Sequence, residues 1–318
     1  MSRPIDVGFA VLLVGACSGN HKARLPGPSV HEHPEMAATS PTAGTPMTVD
    51  ITEGLALPET VVWDPDQDVY FISNINGDPA ADDDNGYISK VSPNGEFLDR
   101  FFIDGRQPDV TLHSPKGMVI GGDTLYVADN HAVRLFDRKT GKPTGTWEVP
   151  GSVFLNDLAI DDQGNVLVTE TGIVLTPAGP VTTRPFAIYR FDDGKPVAIA
   201  TGDDLHGPNG IENTPEGMTV VEFMGTENGV FRLGPNGEKN LVATLPTGEL
   251  DGLARMPDGS LLVTSWEGNG IYHVVAGQKP VMAVEHLGTP AGIAYDSLRK
   301  QVLIPLSTSN EVLIQPYP

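Results

Sequence analysis

The 318-residue chain has one cysteine, Cys17. A single thiol excludes any disulfide within the chain and any zinc site built from several cysteines. The chain also lacks an apolar run long enough to cross a bilayer as a helix. Basic residues are scarce: 20 Lys and Arg stand against 41 Asp and Glu, a formal net charge of −21. A surface that negative repels phosphate backbones, which argues against nucleic-acid binding, and it attracts cations. There is no G-x-S-x-G elbow, no H-E-x-x-H pair and no Walker loop, since R-K-T-G-K-P at 138–143 lacks the upstream glycine.

What is present begins with a short apolar run, VGFAVLLVGA at 7–16, behind Arg3. It reads as a secretory signal, too short for a transmembrane helix. It ends Val14-Gly15-Ala16-Cys17, which resembles the bacterial lipobox, where cleavage precedes a lipidated cysteine. The expectation is a signal over 1–17 and a lipid anchor on Cys17 as the only membrane attachment. The protein would then reside in a bacterial cell envelope, lipid-anchored or periplasmic. Residues 18–46 are rich in Pro, Ser, Thr, Gly and His and poor in large apolar residues, so they read as a tether, His21, His31 and His33 included.

From residue 47 to 318 one pattern recurs. A short segment comes first: P-E-T-V (58–61), P-K-G-M (115–118), L-N-D-L (155–158), P-N-G-I (208–211), L-D-G-L (250–253) and P-A-G-I (290–293). A turn follows, then an apolar strand such as VYFIS, TLYVAD or LLVTS, then a third strand such as AVRLFD or GIYHVV. Most units add a fourth strand after a further glycine turn, as in EFLDRFFI (96–103) and NLVATL (240–245). Four strands per unit at a period of about 40–57 residues describe propeller blades. Six copies predict an all-β, six-bladed β-propeller with four-stranded antiparallel blades. The sixth unit stops at its third strand, EVLIQP (311–316), and MTVDITEG (47–54) has strand-like composition. That N-terminal strand is expected to supply the missing outer strand and close the ring.

In a propeller the first strand of each blade lines the central channel. The aligned positions Glu59, Lys116, Asn156, Asn209, Asp251 and Ala291 would therefore meet near the axis. Two carboxylates brought that close repel one another unless a cation sits between them. Oxygen donors without Cys or His favour a hard divalent cation, Ca2+ first, and four side chains leave coordination positions open to water or substrate. A plainer reading makes 209–210 and 251–252 tight bends and pairs Glu59 with Lys116. The register of polar residues in five blades speaks against it.

These motifs resemble the senescence marker protein/gluconolactonase family, with more distant likeness to diisopropyl fluorophosphatase and the paraoxonases. The family's E-G-P-x-W opening is matched by Glu59-Thr60-Val61-Val62-Trp63, with Gly and Pro replaced. Its N-D, N-G and D-G blade openings are matched at Asn156-Asp157, Asn209-Gly210 and Asp251-Gly252. The resemblance implies an axial Ca2+ held by Glu59, Asn209 and Asp251, with Asn156 as ligand or substrate holder and Asp251 as general base. It implies a small-molecule substrate such as a lactone. Lys116 would either neutralise surplus carboxylate or steady a developing oxyanion. His113 and His206, each three residues before an axial position, are candidate bases or substrate contacts. Phe223 and Trp266 end second strands and read as core. Two functions stay open: a metal-dependent hydrolase of lactones or related esters, and a non-catalytic propeller that binds a ligand or protein.

Overall fold

The computed structural model describes residues 48–176, 179–183, 186–202 and 204–318. The signal, Cys17 and the tether histidines lie outside the described residues. Six four-stranded antiparallel sheets, each a blade, follow one another along the chain. Their innermost strands are Pro58–Asp64, Pro115–Gly121, Leu155–Ile160, Pro208–Thr214, Leu250–Arg255 and Ala294–Asp296. Blades 1 to 5 run outward in chain order. Blade 6 takes Ala294–Asp296, Gln301–Leu306 and Glu311–Pro316 from the C-terminal end of the chain and Val49–Ile51 from the other. Val49, Asp50 and Ile51 face Ile314, Leu313 and Val312 in an antiparallel pair.

Burial follows from this stacking. Each sheet is covered on both faces by its neighbours, so second strands such as Val69–Asn74, Val166–Glu170 and Leu261–Ser265 are buried at every residue. Outer strands such as Pro143–Glu148 and Val281–Glu285 are largely exposed. The core is divided into six apolar wedges, one between each pair of adjacent blades. The wedge between blades 6 and 1 joins Ile51, Leu303, Val312 and Ile314 to Val61, Tyr70 and Ile72. Beside it, Tyr70 Oη donates to Asp296 Oδ2 at 2.7 Å, and Arg299 bridges Asp296 and Asp68.

Blade 3 holds an element the repeat did not announce. Ile173–Thr176 and Gly179–Thr182 form a separate hairpin between its second and third strands. This insertion explains the long spacing between the third and fourth units.

The inner strands share a further irregularity. In blades 1 to 5 the pairing of first and second strand slips at Pro58/Val61, Pro115/Met118, Leu155/Leu158, Pro208/Ile211 and Leu250/Leu253. A bulge leaves residues unpaired, bends the strand and re-aims a side chain. The unpaired residues are the axial ones. Each bulge exposes a backbone N–H, and in three blades a second-strand hydroxyl takes it. Ser73 Oγ accepts from Thr60 N (2.9 Å), Thr169 Oγ1 from Asp157 N (2.9 Å) and Thr264 Oγ1 from Gly252 N (2.6 Å). Thr169 and Thr264 donate in turn to the next blade, to Asn209 O (2.8 Å) and Ala291 O (3.1 Å).

Candidate active site on the propeller axis

The glycine after four of the six axial residues, at 117, 210, 252 and 292, lets neighbouring inner strands touch. A Cβ on Gly210 would lie 2.4 Å from Asp251 O, and one on Gly252 would lie 2.4 Å from Ala291 O. Neither glycine adopts a positive φ and both lie inside strands. The Asn-Gly and Asp-Gly pairs are therefore close-approach positions and not tight bends. Gly292 closes the same circle, its N–H donating to Glu59 O at 2.8 Å.

Five of the six axial side chains are polar, and all five are almost fully buried. Asn156 is held in one orientation. Thr171 Oγ1 donates to Pro208 O (2.9 Å), so it accepts from Asn156 Nδ2 (3.0 Å). Asn156 Oδ1 is left buried with no hydrogen-bond partner, and so is Asp251 Oδ1. The Asp251 carboxyl is pushed well above the usual carboxylate range, by burial first and then by Glu59 and Asp157, while Trp266 and Asn209 partly offset this. Glu59 is pushed up to about 7 by burial and by Asp157, against a 2.6 Å hydrogen bond from Thr60 Oγ1. Asp251 thus interacts with both Glu59 and Asn209, and Asn156 sits at the equivalent position of the inner strand next to that of Asn209.

These residues fit a hard divalent cation. Burial raises the proton affinity of both carboxylates, Glu59 adds to it at Asp251, and Asn156 Oδ1 and Asp251 Oδ1 lack any donor. Oxygen donors of this kind suit calcium, which accepts irregular geometry and several carboxylate and carbonyl-type ligands. Glu59, Asn156, Asn209 and Asp251 are the residues that would hold it.

Lys116 is not paired with Glu59. Its ammonium donates to Asn130 Oδ1 (2.9 Å) and Ser114 O (3.2 Å) and lies 4.2 Å from the centre of the Phe154 ring. Burial lowers its pKa to about 8, against the pull of Asp129 and Glu59. His113 and His206 turn to other partners. His113 Nδ1 lies 3.2 Å from Asp84, and His206 Nδ1 lies 3.5 Å from Glu222 Oε2. Trp266 packs edge-on against Phe223, ring centroids 5.3 Å apart, and its indole faces Asp251. Trp266 thus touches the site as well as Phe223.

The sequence reading missed Asp157. Its carboxylate accepts from Leu158 N (2.8 Å) and from Ile211 N of the next blade (3.0 Å). Burial nevertheless pushes it up to about 7. It stands between the axial group and a cavity of about 670 Å3 farther along the channel, where Glu212 is likewise pushed to about 7 by burial and by Asp157. The bulge-capping hydroxyls Ser73, Thr169 and Thr264 were also missed. Their signal was a Ser or Thr near the end of an otherwise apolar second strand.

The fold resembles that of several solved structures. A gluconolactonase from Xanthomonas campestris superposes with a TM-score of 0.66 at 17% identity, covering 87% of this chain and 91% of that one. Virginiamycin B lyase from Staphylococcus aureus gives 0.59 at 14% identity, covering 86% and 99%. A luciferin-regenerating enzyme gives 0.58 at 12% identity, covering 85% and 98%. At such identities the likeness speaks for the fold. No curated protein sequence matches the chain. The SMP-30/gluconolactonase/LRE-like family does match it over residues 57–289, most of the propeller, and the chain belongs to that family.

Proposed function

We propose that this protein is a calcium-dependent hydrolase of a lactone or related ester, working at the axial site. The observation that carries the reading is the pair of buried, unpartnered oxygens, Asn156 Oδ1 and Asp251 Oδ1, beside the coupled carboxylates Glu59 and Asp251. Family membership and the likeness to a gluconolactonase support it.

Calcium, when bound there, supplies charge that polarises a carbonyl oxygen. The chain's own residues do the rest. Asp251 takes the proton of the attacking water. Water adds to the lactone carbonyl, the ring C–O bond breaks, and the proton passes to the leaving alkoxide, giving a hydroxy acid. Asn156, fixed by Thr171, presents its carbonyl oxygen as ligand or substrate contact. Lys116, held by Asn130 and Ser114, is placed to steady the developing oxyanion. Phe223 and Trp266 shield the carboxylate from bulk water. His206, half-exposed at the mouth of the channel, is the substrate contact.

The test is acid release from a panel of lactones, with chelator and with calcium restored. Hydrolysis that chelator abolishes and calcium restores is expected. Hydrolysis indifferent to chelator overturns the metal dependence. Calcium binding without hydrolysis of any lactone or ester transfers the reading to a non-catalytic binding propeller.

For the segment ahead of the propeller we propose lipidation at Cys17, a tether over 18–46, and residence in the cell envelope. Cys17→Ser should release the protein from the membrane fraction. Wild-type protein that is wholly soluble with an uncut N-terminus contradicts this.

A further inference from the structure

We propose a second metal site, for a borderline transition dication of the zinc or cobalt kind, formed by Asp82, His113 and His131 at the same mouth. It shares no ligand with the axial site and differs from it in chemistry.

The three residues come from separate segments. Asp82 lies in the long loop of blade 1, His113 in the segment entering blade 2, and His131 in the turn between the second and third strands of blade 2. Each offers a donor atom within 4.8 Å of the other two. His131 Nδ1 lies 3.5 Å from Asp82 Oδ1. Two donors on one tetrahedral ion with bonds of about 2.1 Å stand about 3.4 Å apart, so that pair is already at coordination spacing. The two imidazole centroids are 5.7 Å apart and inclined by 37°.

The cluster is held in place without metal. Asn130 Nδ2 donates to Asp82 Oδ1 (2.9 Å) and Ala81 O (2.8 Å), and Ser114 Oγ donates to Asp78 O (3.0 Å). Asp84 Oδ1 accepts from Leu112 N at 3.1 Å. Asp84 also serves the His113 ring: its N–H donates to Nδ1 (3.2 Å), and its Oδ1 is 3.2 Å from the same nitrogen. Metal at Nε2 would move the ring proton to Nδ1, where that carboxylate accepts it in place of the contact with the Asp84 N–H, the usual support for a ligating imidazole. The His113 side chain is 11% exposed, His131 36% and Asp82 57%, so an ion can enter from solvent and keep water ligands. Two imidazoles and one carboxylate select borderline transition metals over calcium. Asn130 links the two sites, since its Oδ1 accepts from Lys116 on the axis.

The probe is Co2+, added to full-length protein saturated with calcium, with His21, His31 and His33 changed to Ala so that the tether imidazoles do not contribute. One Co2+ per chain with visible absorption, displaced by Zn2+, is expected. His131→Ala and Asp82→Asn should abolish it, Asp84→Asn should weaken it about 10–100-fold, and Asp251→Asn should leave it intact. His131→Ala and Asp82→Asn alter exposed groups, and unchanged melting curves would verify their folds. Absence of Co2+ binding, absorption that survives both substitutions, or its loss in Asp251→Asn would overturn the proposal.

Discussion

Asp251 and Glu59 sit where burial and neighbouring carboxylates both favour the protonated form, and this has a sign that can be measured. Without metal, Glu59 and Asp157 titrate at about 7, above their ordinary values of 4.5 and 3.8, with burial the leading cause. The folded state therefore holds more protons than the unfolded state between those limits, and stability falls as pH rises. Chelated protein should lose melting temperature from about pH 5 to pH 8, with the loss completed as pH passes through about 7. Glu59→Gln should flatten that slope, and an unchanged slope contradicts the assignment. Asp251→Asn keeps the shape but removes both a calcium ligand and the base. It should lower kcat/KM about 10²–10⁴-fold, whereas a smaller loss places the base elsewhere. Lys116→Met should lower kcat without raising KM in proportion, as a group acting only on developing charge does.

The bulge is the element that makes the site, and it was only half legible. Five polar residues in register with the apolar pattern could be read as axial, because a repeat aligns equivalent positions even when the identities differ. The bulge could not be read, since it depends on where a ladder fails, and the glycines that permit close approach looked like turn residues. The hydroxyls that accept the freed N–H groups were visible as Ser73, Thr169 and Thr264, but composition alone gives a strand Ser or Thr no special meaning. Thr264→Val leaves the buried Gly252 N–H without its acceptor. It should lower stability by about 1–3 kcal/mol, read as a shift in urea midpoint, and weaken calcium binding at Asp251. Gly252→Ala forces a Cβ within 2.4 Å of Ala291 O, and it should damage the site more than the Thr264 variant does. Equal calcium affinity in all three proteins would separate the bulge from the site.

Across the whole molecule, stability is spread over six wedges, so an opened junction exposes an apolar face and an unpaired strand edge. The sixfold repeat was plain in the sequence, because stacking buries every second strand on both faces and writes a continuous apolar run into each unit. The hairpin insertion of blade 3 was not legible, since it lies outside the repeat. Val49–Ile51 pairs with Glu311–Pro316, and its removal tests how far that strand secures the ring. Deletion through residue 46 should leave the melting temperature of the propeller unchanged. Deletion through residue 55 should lower it and promote aggregation; equal stability contradicts a closing role. The central claim is that the axial carboxylates exist to hold a hard cation, and calorimetric titration of calcium into chelated protein tests it most directly. Binding of one ion on the axis, with more proton release at pH 6 than at pH 8 and loss of the binding in Asp251→Asn, is the predicted result. No calcium binding, or binding indifferent to Asp251→Asn, would contradict it.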